Sequence, residues 1–341
     1  MLLTNDNITI ADVAKCAGVS TATVGRVVGG YGTVSAKTRE KVLTAIAQIG
    51  YSPNVVAQGL RSKKTKTIAV LVGSISNSFF ASMVNAIESE SAEYGYNVII
   101  CNTHEDPEIE RRHIKNLQGR MVDGIILSSA YTTENAGSIK EKEIYTDIVP
   151  IVLADRRVEG LSLMTIESDN LVAGYKTTNY LLALGHKRIG IMGTGNYSTI
   201  NDRIEGYQQA LIERKIELDP KRIFKIKKEK SQYNVREIDN YLIANKDLTA
   251  LMLLNSSLAE AVLLRLKKLG TRVPEDLSVV CWDDSSMNKL MGLTTVLQNP
   301  EELGREAVKA VISKIEKREL SPQSDIKIAT ELKIRSSCRP V

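Results

Sequence analysis

From Thr67 onward, short apolar runs rich in β-branched residues alternate with longer amphipathic stretches, and no other feature restricts the fold as tightly. Thr67–Gly73, Asn97–Cys101, Asp123–Ser128 and Val149–Ala154 are expected as buried strands. The same order returns after Gly185 with Arg188–Gly193, Phe224–Lys227, Thr249–Leu254 and Ser278–Trp282. Strands this apolar, separated by helices, imply parallel sheets covered on both faces. Two such units in series make two similar lobes with a cleft between them, and in doubly wound sheets ligands sit beyond the carboxyl ends of the strands.

At 341 residues the chain is long enough for two to three domains. With 43% hydrophobic and 25% charged residues, a largely disordered chain is excluded. No apolar run is long enough to span a bilayer. Met1–Thr9 is polar, contains Asp6 and lacks the pattern of a secretion signal, so a cytoplasmic protein is expected. Cys16, Cys101, Cys281 and Cys338 form no Cys-x-x-Cys pair, and His104, His113 and His186 have no second ligand at a helical or turn spacing. No disulfide framework, metal or cofactor is therefore expected.

The net charge of +5 is unevenly placed. Residues 1–66 carry nine basic side chains against three acidic ones, a net +6, and the rest of the chain nets −1. A compact basic module on a neutral body is what binding to a phosphate backbone by one domain requires.

Within that module Thr9 is placed to cap a helix whose apolar residues Ile10, Val13, Ala14 and Ala17 recur at helical spacing, ending at Gly18. Ser20 can cap a second helix with Val24, Val27 and Val28 inward and Thr21, Ala22, Gly25 and Arg26 on the other side. Gly29, Gly30 and Gly32 break the chain. Ser35 then opens a third helix carrying Val42, Ala45, Ile46 and Ile49. Three short helices over one apolar cluster, with a polar second helix, suit a helix-turn-helix that lays this second helix in the major groove.

The runs Ile10–Val28, Val34–Val42 and Gly50–Asn54 resemble the N-terminal domain of LacI/GalR-family repressors, in order and without gaps. The resemblance implies DNA contacts from Ser20, Thr21, Ala22, Gly25 and Arg26, with Thr21, Ala22 and Arg26 facing base edges. Arg26 can pair bidentately with guanine, and Ala22 offers only a methyl surface. A phosphate contact is the plainer role for Arg26. Gly25 and Gly29 depart from the serine and asparagine usual in the family.

Residues 53–66 join the basic module to the body. The resemblance implies that this segment folds as a hinge helix on DNA, with the DNA-contacting Asn54 at its start, Ala57 letting the paired helices approach and Leu60 wedged into the minor groove. The alternative is an ordinary linker with an incidental leucine.

The likeness covers essentially the whole chain and implies an all-α helix-turn-helix domain (1–52), a hinge (53–66) and a body (67–341) similar to periplasmic sugar-binding proteins. Its first lobe would comprise 67–168 and 296–326, and its second 169–295 and 327–341. Polar and aromatic groups after the strands are the candidate effector contacts: Asn77, Phe79, Asp155, Arg203, Asn255, Trp282, Asp283 and Gln298. Among these Arg203, Asn255, Asp283 and Gln298 match effector-contacting positions of the family. Ser256 and Cys281-Trp282 depart from the usual pattern. Trp282, the single tryptophan, suits either a core or a ring-stacking role. Asp155-Arg156-Arg157 suits either an anionic effector or a salt bridge.

No phosphate-binding Gly-x-x-x-x-Gly-Lys loop, dinucleotide fingerprint or nucleophile elbow is present, which argues against an enzyme. The chain is expected to be a homodimeric repressor that binds a near-palindromic operator, is relieved by a sugar or sugar acid, and controls a carbohydrate-utilisation operon. A regulator signalled mainly by a partner protein and a solute-binding protein are the alternatives.

Overall fold

Helix α1 (Ile10–Ala17) starts where a local hydrogen-bonded box can form: Asp12 Oδ2 accepts from the Thr9 N–H (2.9 Å) and the Thr9 hydroxyl (2.7 Å). It stops at Gly18, whose φ of 64° is left-handed. Helix α2 (Thr21–Gly29) follows, and α3 (Ala36–Ile49) is capped by Ser35, whose Oγ accepts from the Thr38 N–H (3.3 Å). Val13, Ala14, Val24, Val27, Val42 and Ala45 form their common core. The computed structural model describes residues 8–29, 31–51, 65–119, 122–135, 145, 149–226, 228–229, 232–316 and 325–341. The chain divides into two compact units, Met1–Lys66 and Thr67–Val341.

The second unit holds two six-stranded sheets. Its first sheet contains β1 (Thr67–Val72), β2 (Asn97–Asn102), β3 (Gly124–Leu127), β4 (Ile151–Ala154), β5 (Thr165–Ser168) and β13 (Ile326–Ile328), in the order β13-β5-β4-β3-β1-β2 and parallel throughout. Along β1, Ile68, Val70 and Val72 enter a core with α4 (Ser78–Glu93) and α11 (Pro300–Ile315), while Ala69 and Leu71 enter another with α5 (Pro107–Gly119). Both faces are buried, as a continuous apolar strand requires.

The second sheet comprises β6 (Ile189–Thr194), β7 (Ile223–Ile226), β10 (Ala250–Leu253), β11 (Ser278–Trp282), β12 (Thr294–Leu297) and β14 (Glu331–Lys333), ordered β14-β12-β11-β10-β6-β7. Its strands are parallel except for β14, which runs antiparallel to β12. One face is covered by α6 (Asn170–Ala183) and α7 (Ser198–Glu213), the other by α8 (Val235–Ala244) and α9 (Ser256–Lys268). A small ribbon, β8 (Lys228–Glu229) with β9 (Gln232–Tyr233), and α10 (Ser286–Leu290) complete the lobe.

The chain passes between lobes three times: after Ser168, after Leu297 and after Ile328. The last two crossings fall slightly later than the boundaries drawn from sequence, because β12 pairs with β11 through Val296 and β13 pairs with β5 through Ile328.

Candidate DNA-reading face and effector cleft

On α2, Thr21, Ala22 and Arg26 are exposed, and among the described residues no carboxylate pairs with the Arg26 guanidinium. Ser20 is committed to capping: its Oγ accepts from the Thr23 N–H (3.2 Å) and bonds the Thr23 hydroxyl (2.9 Å). Gly25 corrects the expectation, because it is buried beside Val24 and Val27 instead of standing on the reading face. Lacking a side chain, it presents only backbone, which the helix and its neighbours cover. Gly29 belongs to α2, so the break comes after it. Asn54, Ala57 and Leu60 lie outside the described residues.

In the body, α6 and α7 pack backbone to backbone. A Cβ added at Gly174 would overlap the Arg203 carbonyl, and one added at Gly206 would overlap the Leu171 carbonyl. This close crossing sets where the Arg203 side chain emerges. Its guanidinium donates to Asn170 Oδ1 (2.7 Å), the Leu254 carbonyl (2.5 Å) and Gln298 Oε1 (3.1 Å), and lies 4.9 Å from the Trp282 ring centroid. Burial lowers its pKa to about 10, with Asp283 and Asp155 opposing the shift, so it stays charged at neutral pH. Gln298 Nε2 donates in turn to Asp283 Oδ1 (2.6 Å). Arg203, Gln298, Asp283 and Trp282 therefore form one cluster.

Asp155 and Asp283 take left-handed backbones, φ 73° and 63°, just beyond β4 and β11 of the two sheets. Such strain in non-glycine residues gathers at functional sites. Asp155 is buried, and burial pushes its carboxyl up to about 6 against the pull of Arg156 and Arg203. Asn255 is half-buried at the start of α9, its Oδ1 accepting from the Thr194 N–H (2.8 Å).

Arg156 and Arg157 are already paired. Arg156 Nη1 donates to Glu105 Oε2 (2.6 Å) and the Ser129 carbonyl (3.0 Å), and its Nε lies 3.5 Å from Asp155. Arg157 reaches Glu167 in the first lobe and Asp202 Oδ1 (2.7 Å) in the second, and its backbone N–H donates to Ser198 Oγ (3.0 Å). Of the two roles open to these arginines, the salt bridge is the one the geometry fills.

Three expected contacts have other occupations. Trp282 is fully buried in the core between β11 and α7, covered by Arg203. Asn77 caps α4, its Oδ1 accepting from the Phe79 N–H (3.0 Å). Phe79 is buried edge-on against Phe80, and it is Phe80 whose ring lies 5.5 Å from the Arg156 guanidinium carbon.

Sequence reading missed the residues that close this region. Tyr197, at the start of α7, lies beneath Arg156 at 3.8 Å. Glu110 of α5 is fully buried and accepts from the Ser129 hydroxyl (3.0 Å), the Ala130 N–H (2.5 Å) and the Tyr145 hydroxyl (3.2 Å). Ser128, Asp155, Ser168 and Trp282 each keep a buried polar atom without a hydrogen-bond partner at the carboxyl end of a strand. Unpaired buried polar atoms are expensive, so each of these calls for a partner that the chain itself does not supply.

A basic helix-turn-helix unit and a unit of two parallel-sheet lobes with buried polar side chains at the ends of their strands are the make-up of a DNA-binding regulator that answers to a small ligand. Residues 9–54 match the family of bacterial regulatory proteins described as the lacI family, and residues 178–338 match the periplasmic binding protein-like domain. The repressor PurR of Haemophilus influenzae (strain PittEE) is 34% identical over 340 residues, covering 98% of this chain and 99% of that protein. The regulator RegA of Clostridium saccharobutylicum is 35% identical over 316 residues, covering 91% and 93%. Among solved structures, the lac repressor dimer bound to operator and the anti-inducer ONPF superposes with a TM-score of 0.84 at 26% identity, covering 98% and 100%. The CelR–cellobiose complex does so at 0.72 and 27% identity, covering 97% and 99%. The chain belongs to the LacI family of transcriptional regulators. Like those relatives it is a ligand-responsive, DNA-binding regulator and not an enzyme.

Proposed function

We propose that this chain is a cytoplasmic, homodimeric repressor of carbohydrate-utilisation genes that releases a near-palindromic operator when a neutral, polyhydroxylated effector enters the cleft. The cluster around Arg203 carries the reading: Asp155 and Asp283 accept, Arg203 donates, and the Ser128 and Ser168 hydroxyls do both, which suits adjacent sugar hydroxyls. Neutrality follows from the pairing of Arg156 with Glu105 and of Arg157 with Glu167 and Asp202. A homodimer is supported by exposed Ile99 and Ile100 on β2, the outer strand of its sheet, and by exposed Leu290 and Met291. On α2, Thr21, Ala22 and Arg26 read base edges, and Asn54, Ala57 and Leu60 extend the contact through the hinge.

A nucleobase effector is the second reading, favoured by the similarity to repressors named PurR. Thermal-shift and calorimetric titrations with neutral sugars, sugar acids and purine bases separate these. Binding of neutral sugars alone supports the first reading. Binding of bases supports the second, and binding restricted to sugar acids removes the argument from the paired arginines.

A further inference from the structure

We propose that Tyr31 is an operator-contacting residue, held by Gly29 at the end of α2 so that its hydroxyl donates to a backbone phosphate. The proposal rests on the reading that the exposed face of α2 meets DNA.

Ala22, Arg26 and Gly29 stand at i, i+4 and i+7 and share one exposed stripe of α2. The stripe lacks a side chain at Gly29. A Cβ added there would overlap Cε1 and Cδ1 of Tyr31, so the tyrosine ring fills the place that side chain would take. Gly29 has no left-handed backbone, so its own conformation does not call for glycine; the ring does. The Tyr31 N–H donates to the Arg26 carbonyl (3.2 Å), which ties the ring to the end of the helix. Beside it Gly32, with φ 72°, leaves room for the Arg26 stem: a Cβ there would come within 3.4 Å of Arg26 Cδ. Arg26 and Tyr31 thus project side by side from one small structure.

Tyr31 remains 52% exposed although its ring is apolar. An aromatic with one face packed and its hydroxyl in water is ready to bridge a protein surface and a polar partner. Residues 1–66, at net +6, make DNA phosphate that partner, and tyrosine hydroxyls are among the groups that hold phosphate oxygens without reading sequence. Thr21 and Ala22 offer few donors, so such an anchor adds register where the helix itself supplies little.

The test uses the full-length protein, a duplex it selects from a random library, and a scrambled duplex at the same salt. Tyr31→Phe is expected to weaken binding about tenfold on both duplexes, the loss expected for one hydrogen bond to a charged group. The slope of log affinity against log salt stays unchanged, because no charge is removed. Gly29→Ala, which pushes the ring off the stripe, is expected to weaken binding similarly with helicity and melting temperature unchanged. Wild-type binding by Tyr31→Phe, or a loss confined to the selected duplex, overturns the assignment. Arg26→Ala is measured alongside: if it too binds as wild type, the α2 reading itself fails, whereas an Arg26→Ala defect with intact Tyr31→Phe overturns the tyrosine role alone.

Discussion

The guanidinium carbon of Arg156, in the first lobe, lies 3.8 Å from the ring centroid of Tyr197, in the second. Together with Arg157 bound to Asp202, this contact joins the lobes at the carboxyl ends of their strands. Arg156→Ala removes a desolvated cation–π contact and leaves the Glu105 carboxylate without its strongest partner. The expected loss is about 2 kcal/mol of unfolding free energy, below the range for a wholly buried pair because Glu105 is partly exposed. Urea titration checks this. Arg156→Lys, which retains the charge but not the planar fork, should fall between the two.

Stability should fall as the solution becomes alkaline. Burial pushes Glu110 from 4.5 to about 7, although Ala130, Ser129 and Tyr145 donate to it. An acid whose pKa is raised in the folded state keeps its proton where the unfolded chain has lost it. Its stabilisation is therefore complete below pH 4.5 and disappears as pH climbs through about 7. Glu167, raised to about 7, and Asp155, raised to about 6, act in the same direction. Urea midpoints should decline between pH 5 and pH 8, and Glu110→Gln should remove roughly 3 kcal/mol of that slope. A Glu110→Gln protein with the full wild-type slope contradicts this assignment.

Adding a methyl group between α6 and α7 should disturb the effector site without touching it. Gly174→Ala and Gly206→Ala each place Cβ against a backbone carbonyl of the other helix, which cannot swing away as a side chain can. Overpacking of this kind costs about 1–3 kcal/mol. Because α7 carries Arg203, effector affinity should drop together with stability. Glycine-to-alanine at Gly119, where a Cβ meets nothing and the backbone is not left-handed, serves as the control for effector affinity.

What could be read from the sequence followed from chemistry within a few residues. Thr9, Asp12 and Ser35 act on backbone groups three positions away, and apolar runs such as Thr67–Val72 have no stable place outside a doubly covered sheet. What stayed hidden depends on partners far along the chain. Phe79 and Phe80 are neighbours on one helix, and only tertiary packing decides that Phe80 meets Arg156. Short strands such as β5 and β13 are defined by pairing with each other, not by composition. Glu110 stands among the charged residues of Pro107–Gly119, yet it shares a stripe with the buried Ile114 and Leu117, and that spacing is the available clue. Helical angle and the family resemblance both put Gly25 on the reading face, and neither says how deeply backbone without a side chain is covered.

If Arg203 holds the effector, as proposed, its loss should uncouple effector from operator binding. The most direct measurement is fluorescence anisotropy of a library-selected operator with full-length wild-type and Arg203→Ala proteins, titrated with whichever neutral sugar or base produces a thermal shift. We predict that the effector weakens wild-type operator binding at least tenfold, within the usual 1–3 kcal/mol of allosteric coupling, and leaves Arg203→Ala unaffected. An effector that binds the wild type without changing its operator affinity, or that releases Arg203→Ala equally well, contradicts it.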